Sequence, residues 1–320
     1  MSRRIQSISA LTKALALGLG VFCLFFSHGA SAGPRATPSS TWEESLIKGN
    51  IIVSEWFDGM AEGVDVFIAG KKVTDRVNQS NVRISNRTYF VEGQKETNET
   101  NLEVNVRLPN VEDYWQLKFS DTDETQERGV RNTYLRQQPR AKNYGATVGL
   151  FKKLGNIRAA FQPRVALKDP LEVSHSLAFE SVAEVEDSYK VNPKLEFFAN
   201  PNEGTGIFHA LNFNFQLSRV YDLSLINEGQ YLDKTHVYSA TNGISLGQVF
   251  TKNSSIGYSF FTGSNNRENY HLDSYGISVT YSHLIYKSIL DYSITPQLDF
   301  TRDRSFAALP GLNFNVGLNF

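Results

Sequence analysis

From residue 82 onward, apolar and polar positions alternate with a period of two in short runs broken by polar, Gly- and Asn-rich segments. The clearest run closes the chain. Leu312, Phe314, Val316, Leu318 and Phe320 alternate with Asn313, Asn315, Gly317 and Asn319. A period of two predicts a strand with one apolar face. The same pattern sets Leu102, Val104, Val106 and Leu108 against Glu103, Asn105 and Arg107, and Ile157, Ala159, Phe161, Pro163, Val165 and Leu167 against Arg158, Gln162, Arg164 and Lys168. Leu290, Tyr292, Ile294, Leu298 and Phe300 likewise alternate with Asp291, Ser293, Thr295, Gln297 and Asp299.

About fourteen such runs are expected over residues 82–320, or twelve if residues 194–199 and 222–225, the weakest, are not strands. Each is roughly as long as a tilted strand needs to be to cross a bilayer. Short connections at 109–113, 155–156 and 286–287 alternate with longer polar ones at 93–99, 121–143 and 265–271. Several aromatics, Tyr114, Trp115, Tyr144, Tyr221 and Tyr281, fall near expected strand ends, as in an interfacial girdle.

Residues 33–81 read differently, as a Pro/Ser-rich flexible leader followed by an amphipathic helix. Phe57, Met60, Val64 and Phe67 form one apolar stripe at helical spacing, with Glu55, Asp58, Glu62 and Asp65 on the other side. Gly49, Gly59 and Gly63 each weaken that helix by about 1 kcal/mol relative to Ala.

Residues 1–32 have the three parts of a secretory signal peptide. Arg3, Arg4 and Lys13 are basic, residues 14–26 are apolar, and Ala30, Ser31 and Ala32 make a small-residue cleavage site. The apolar part is too short to span a bilayer as a helix, and no later run reaches that length. The single cysteine, Cys23, lies inside this leader, so the exported chain carries neither a disulfide nor a thiol nucleophile. Losing the three basic residues takes the formal net charge from −1 to about −4, which gives no general attraction to nucleic acid.

Together these features resemble a bacterial outer-membrane β-barrel protein of the porin-like kind. A terminal Phe preceded by alternating apolar residues, here Phe314, Val316, Leu318 and Phe320, is that family's assembly signal. The resemblance covers about three-quarters of the chain and implies an all-β fold, an antiparallel transmembrane barrel of about fourteen strands with a short N-terminal amphipathic helix. It also implies residence in the outer membrane, contact with its lipids and recognition by the barrel-assembly machinery.

If the apolar face meets lipid, the alternate positions line a lumen. The expected pore-lining set is Arg83, Arg87, Glu103, Arg107, Lys118, Arg158, Arg164, Lys168, Glu180, Glu184, Asp291 and Asp299. A charged wall biases which ions enter, unless its Arg and Glu pair across neighbouring strands and brace a closed lumen. The acidic residues Glu55, Asp58, Glu62 and Asp65 are expected either to plug the lumen against its basic side, or to stay in the periplasm.

No catalytic role is assigned. Outer-membrane lipases carry His-x-Ser, and no histidine here has a serine two residues on; Ser174 and Ser176 flank His175 on the opposite face of its strand. The acidic stretch Asp121, Thr122, Asp123 and Glu124 lacks the turn Gly and distant Glu of a calcium loop and reads as a solvated loop. No cofactor or metal is expected. The expected function is a channel for small polar or ionic solutes. A non-transporting barrel that is structural or binds a partner is the alternative, with an outer-membrane lipid hydrolase behind both.

Overall fold

A computed structural model describes residues 42–69, 80–108, 115–122, 128, 129, 136, 138–185, 189–285 and 289–320. The signal peptide and flexible leader lie outside these residues, as do Tyr114, Asp123 and Glu124. One helix, α1 (Trp42–Ala69), precedes the strands. It belongs with the barrel from Leu46 onward.

The strands begin with β1 (Asn81–Val91), β2 (Thr97–Arg107) and β3 (Trp115–Ser120), followed by the longest connection, residues 121–144. Next come β4 (Gly145–Leu154), β5 (Ile157–Ala166), β6 (Glu172–Ser181) and the three-residue β7 (Ala183–Val185). Then follow β8 (Tyr189–Asn200), β9 (Gly204–Gln216), β10 (Tyr221–Leu232) and β11 (Val237–Thr251). The last four are β12 (Ser254–Asn265), β13 (His271–Ile285), β14 (Leu290–Thr301) and β15 (Ala308–Asn319).

Each strand pairs antiparallel with its neighbour in sequence, β1 pairs with β15, and β6 pairs directly with β8. Short β7 is thereby left out of the wall, and the result is a closed barrel of fourteen strands. Closure removes every free edge, so each wall strand has a partner on both sides, as lipid requires. Residues 194–199 and 222–225 are both genuine wall, inside β8 and β10. Two connections expected to be long are short, because β2 already starts at Thr97 and β12 and β13 run to Asn265 and from His271.

Register assigns the faces. Glu103 of β2 pairs in space with Lys118 of β3 at 2.8 Å, and Arg83 of β1 with Asp291 of β14 at 2.8 Å, so these positions look inward. Their alternates, among them Ile84, Leu102, Phe119, Phe161, Ile244 and Phe260, are about 40 to 46 % exposed and form an apolar outer belt. Such a belt is stable only against lipid. Outward aromatics mark both rims. Trp115, Tyr221 and Tyr281 sit at the end where β15 finishes; at the other end Tyr275 stacks on Phe300 at 4.6 Å and on Phe306 at 5.7 Å.

Helix α1 meets the outside of this wall. Ala61, 1 % exposed, packs on Val106 and Leu108, with Val104, Trp115 and Leu117 around them, all outward positions of β2 and β3 or just beyond. The Asn50 side chain donates to the Asn319 carbonyl at 2.6 Å. Glu55, Asp58 and Glu62 are exposed and Asp65 is buried. The structure gives no support to a helical plug, because the apolar surface matching Ala61 lies on the barrel's exterior.

Candidate functional site: a folded-in loop and a charged lumen

The lumen is crossed by the connection between β3 and β4. The strands it joins are short at that end: β3 stops at Ser120 and β4 begins at Gly145 opposite it. Arg164 of β5 fixes the base. Its guanidinium, 2 % exposed, donates to the Ser120 hydroxyl at 2.9 Å, to the Asn143 carbonyl at 2.5 Å and to the Thr147 hydroxyl at 3.3 Å. Gly145 is required there, since a Cβ would run into the Val165 carbonyl and the Arg164 guanidinium.

From that base the loop reaches across the barrel. Arg128 donates to Glu196 of β8 at 3.0 Å and to Glu203 at 3.3 Å, and its guanidinium lies 3.3 Å from the ring centre of Phe198. Gly129, at φ +95°, a backbone conformation that favours glycine, lies against the Glu228 carboxylate of β10. The loop then touches the opposite wall, where Asn313 of β15 donates to the Arg136 carbonyl at 2.7 Å. It returns along β2, where Arg140 pairs with Glu99 at 3.6 Å and Lys142 with Asp121 at 2.5 Å. Asp121 and Thr122, 7 % and 4 % exposed, are thus buried in the lumen. The solvated loop expected there is corrected: a lysine and a closing backbone bond, Asn143 N–H to the Asp121 carbonyl at 2.8 Å, take the place of water.

Beneath the loop base lies a polar cavity of about 150 Å³ lined by Arg83, Arg87, Asn101, Glu103, Asp121 and Arg140, among others. Its charges are linked. The Tyr89 hydroxyl donates to Glu99 at 2.9 Å, and Arg140 approaches the same carboxylate. Arg83 forks onto Asp291 at 2.8 and 2.9 Å. Including the nearest partners, five cations (Arg83, Arg87, Arg140, Lys118, Lys142) face four carboxylates (Glu99, Glu103, Asp121, Asp291), with Glu99 opposite Arg87 in the register and paired with Arg140.

Of the expected pore-lining residues, register places Arg83, Arg87, Glu103, Arg107, Lys118, Arg158, Arg164, Glu180, Asp291 and Asp299 on the inward face. Two are elsewhere. Lys168 belongs to the turn after β5 and pairs with Glu172 at 2.6 Å; Glu184 is in β7, outside the wall, and pairs with Lys190 at 2.8 Å. The alternation misled at both because each lies just past the end of a wall strand. Glu180 joins a second ladder, through Lys194 at 3.5 Å to Glu196 at 2.9 Å. Residues the alternation does not single out are Glu99, Arg128 and Arg140. Their importance comes from the loop, which carries no periodic signal.

Three of the histidines sit outside. His175 faces Phe161 on the outer surface, whereas Ser174 and Ser176 are buried on the inner one. His209 stacks on Tyr238, and His283 lies among Tyr281 and Tyr292.

No family model matches the chain, and no curated protein sequence does. Among solved structures it resembles the outer membrane channel DcaP of Acinetobacter baumannii, at 8% identity over 78% of this chain and 99% of that one, with a TM-score of 0.47. It resembles OmpT of Vibrio cholerae at 6% identity over 78% and 100% with a TM-score of 0.45, and a KdgM porin at 9% over 74% and 99% with a TM-score of 0.37. The assignment stands on the strand register itself: with an apolar exterior, a polar interior and no free edge, the chain is an outer-membrane β-barrel.

Proposed function

We propose that the barrel is a narrow channel for small polar solutes, that residues 121–144 set its bore, and that the pore-lining charges favour anions. The observation that carries this is the folded-in loop: it narrows the lumen by ion pairs to specific wall residues, Glu99 and Glu196. A loop serving only an extracellular surface gains nothing from burying Arg128 in the interior, where desolvating its charge is costly.

The anion preference rests on this excess of one cation: Glu99 faces Arg87 in the register of β1 and β2 and is paired with Arg140. A confined, poorly screened lumen amplifies a single uncompensated charge. Arg87 is the residue to change, since Glu99, which it faces across β1 and β2, is already paired with Arg140. Reconstituted into planar bilayers under a salt gradient, the protein should give discrete conductance steps and a reversal potential on the anion side, and Arg87→Gln should move it toward zero. Correctly folded protein that never conducts would instead favour a sealed, structural barrel.

A further inference from the structure

We propose that α1 is a membrane-interface helix: it girdles the periplasmic rim of the barrel from outside and inserts Ile52, Trp56 and Met60 into the adjoining phospholipid leaflet. Two anchors fix its course. Asn50 is tied to the end of β15 through the Asn319 carbonyl at 2.6 Å, and Ala61 is seated on Val106 and Leu108 at the end of β2. Between β15 and β2 lies only β1, so the helix runs around the rim across the seam where the barrel closes.

Its side chains are sorted in a way that suits this place. Going round the helix from Ala61, the apolar residues met are Phe57, Val53, Met60, Trp56 and Ile52, an apolar arc with Asn50 near its barrel-side end. Only part of that arc is used by the barrel. Ile52 is 65 % exposed, Trp56 62 % and Met60 39 %. The other half of the circumference carries exposed Lys48, Glu55, Asp58 and Glu62, together with exposed Ile51 and buried Asp65.

Lipid is the occupant that fits the uncovered half. The helix rests on Val104, Val106 and Leu117, which belong to the same outward face as Leu102 and Phe119 of the lipid-facing belt. Its apolar arc therefore continues that belt around the rim, and the acidic side is left for water. A tryptophan at the boundary between such a belt and water gains from burying its ring while its N–H stays hydrated. Partial burial of the stripe at the headgroup boundary is the ordinary behaviour of an amphipathic interfacial helix.

The test uses Trp56 as its own reporter. The chain has three tryptophans, so a Trp42→Phe/Trp115→Phe variant of the full-length mature protein leaves Trp56 alone. Refolded into phosphatidylcholine vesicles, it should emit to the blue of free tryptophan and be quenched more by lipids brominated near the headgroup than by lipids brominated near the chain end. Aqueous iodide should quench it weakly. Full iodide quenching without bromolipid quenching would overturn the proposal in favour of a helix free in the periplasm. Insensitivity to both quenchers would overturn it in favour of burial inside protein. Should the double variant refold poorly, a nitroxide on Ile52→Cys, in a mature chain that otherwise has no cysteine, reads the same boundary by its accessibility to oxygen against a polar nickel chelate.

Discussion

Arg128, carried by the loop that leaves β3, and Glu196, on β8 in the far wall, are joined across the lumen by a 3.0 Å charge-assisted hydrogen bond. Both side chains are nearly inaccessible, at 3 % and 7 % exposure. Arg128→Ala is expected to release the loop and raise single-channel conductance. The cost in stability should be about 3 kcal/mol, the low end for breaking a buried pair, because Lys194 remains 2.9 Å from Glu196. Bilayer recording and urea titration read the two effects, and an unchanged conductance would sink the assignment of the loop as the constriction.

The inward and outward faces can be separated within four residues of β11. Ile244 is outward and 44 % exposed, and Ile244→Arg should destabilise the barrel by about 2–4 kcal/mol, as a cation facing the bilayer midplane does. Thr241 pairs with Glu228 on the inward face, so Thr241→Arg gains a counter-charge. That variant should fold with near-normal stability and show altered conductance instead. Equal losses in the two variants, measured by unfolding from vesicles, would contradict the register.

Gly243 and Phe261 form a matched pair inside the lumen. The Phe261 ring, wholly buried beside Ile226, lies where any Cβ on Gly243 would have to be. Gly243→Ala should force the ring off its rotamer and cost about 1–3 kcal/mol, the usual penalty of overpacking. Phe261→Leu in the same background should recover part of the loss in a urea titration.

The C-terminal residue has a local structural role besides any part in recognition. Phe320 donates its backbone N–H to the Val82 carbonyl at 2.9 Å, and Val82 returns a bond to the Phe320 carbonyl at 3.3 Å. Phe320→Ser keeps these backbone groups and removes only the ring. It should reduce the heat-modifiable, folded fraction recovered from outer membranes while leaving refolding into synthetic vesicles almost normal. Normal assembly in cells would argue against the terminal aromatic as a signal.

The wall was legible in the sequence because each of its strands repeats one rule, and the rule survives weak stretches. Residues 194–199 look unconvincing alone, yet Leu195 and Phe197 still alternate with Lys194, Glu196 and Phe198 in β8. The loop was not legible, because what buries Arg128 is a carboxylate far along the chain in β8. Nothing near Arg128 distinguishes an arginine bound for the lumen from one bound for water. The helix falls between the two cases. Its amphipathic pattern was readable, but the pattern alone does not say which surface the apolar side will meet, and the acidic residues Glu55, Asp58 and Glu62 suggested a basic lumen when the wall's exterior was the match.

The bond from Asn50 to the Asn319 carbonyl also orders events in time. Asn50 leaves the export machinery long before Asn319, so half of the helix's seat does not exist until the final strand has been delivered and has found β1. The segment that crosses the membrane first is in this sense the last to be housed.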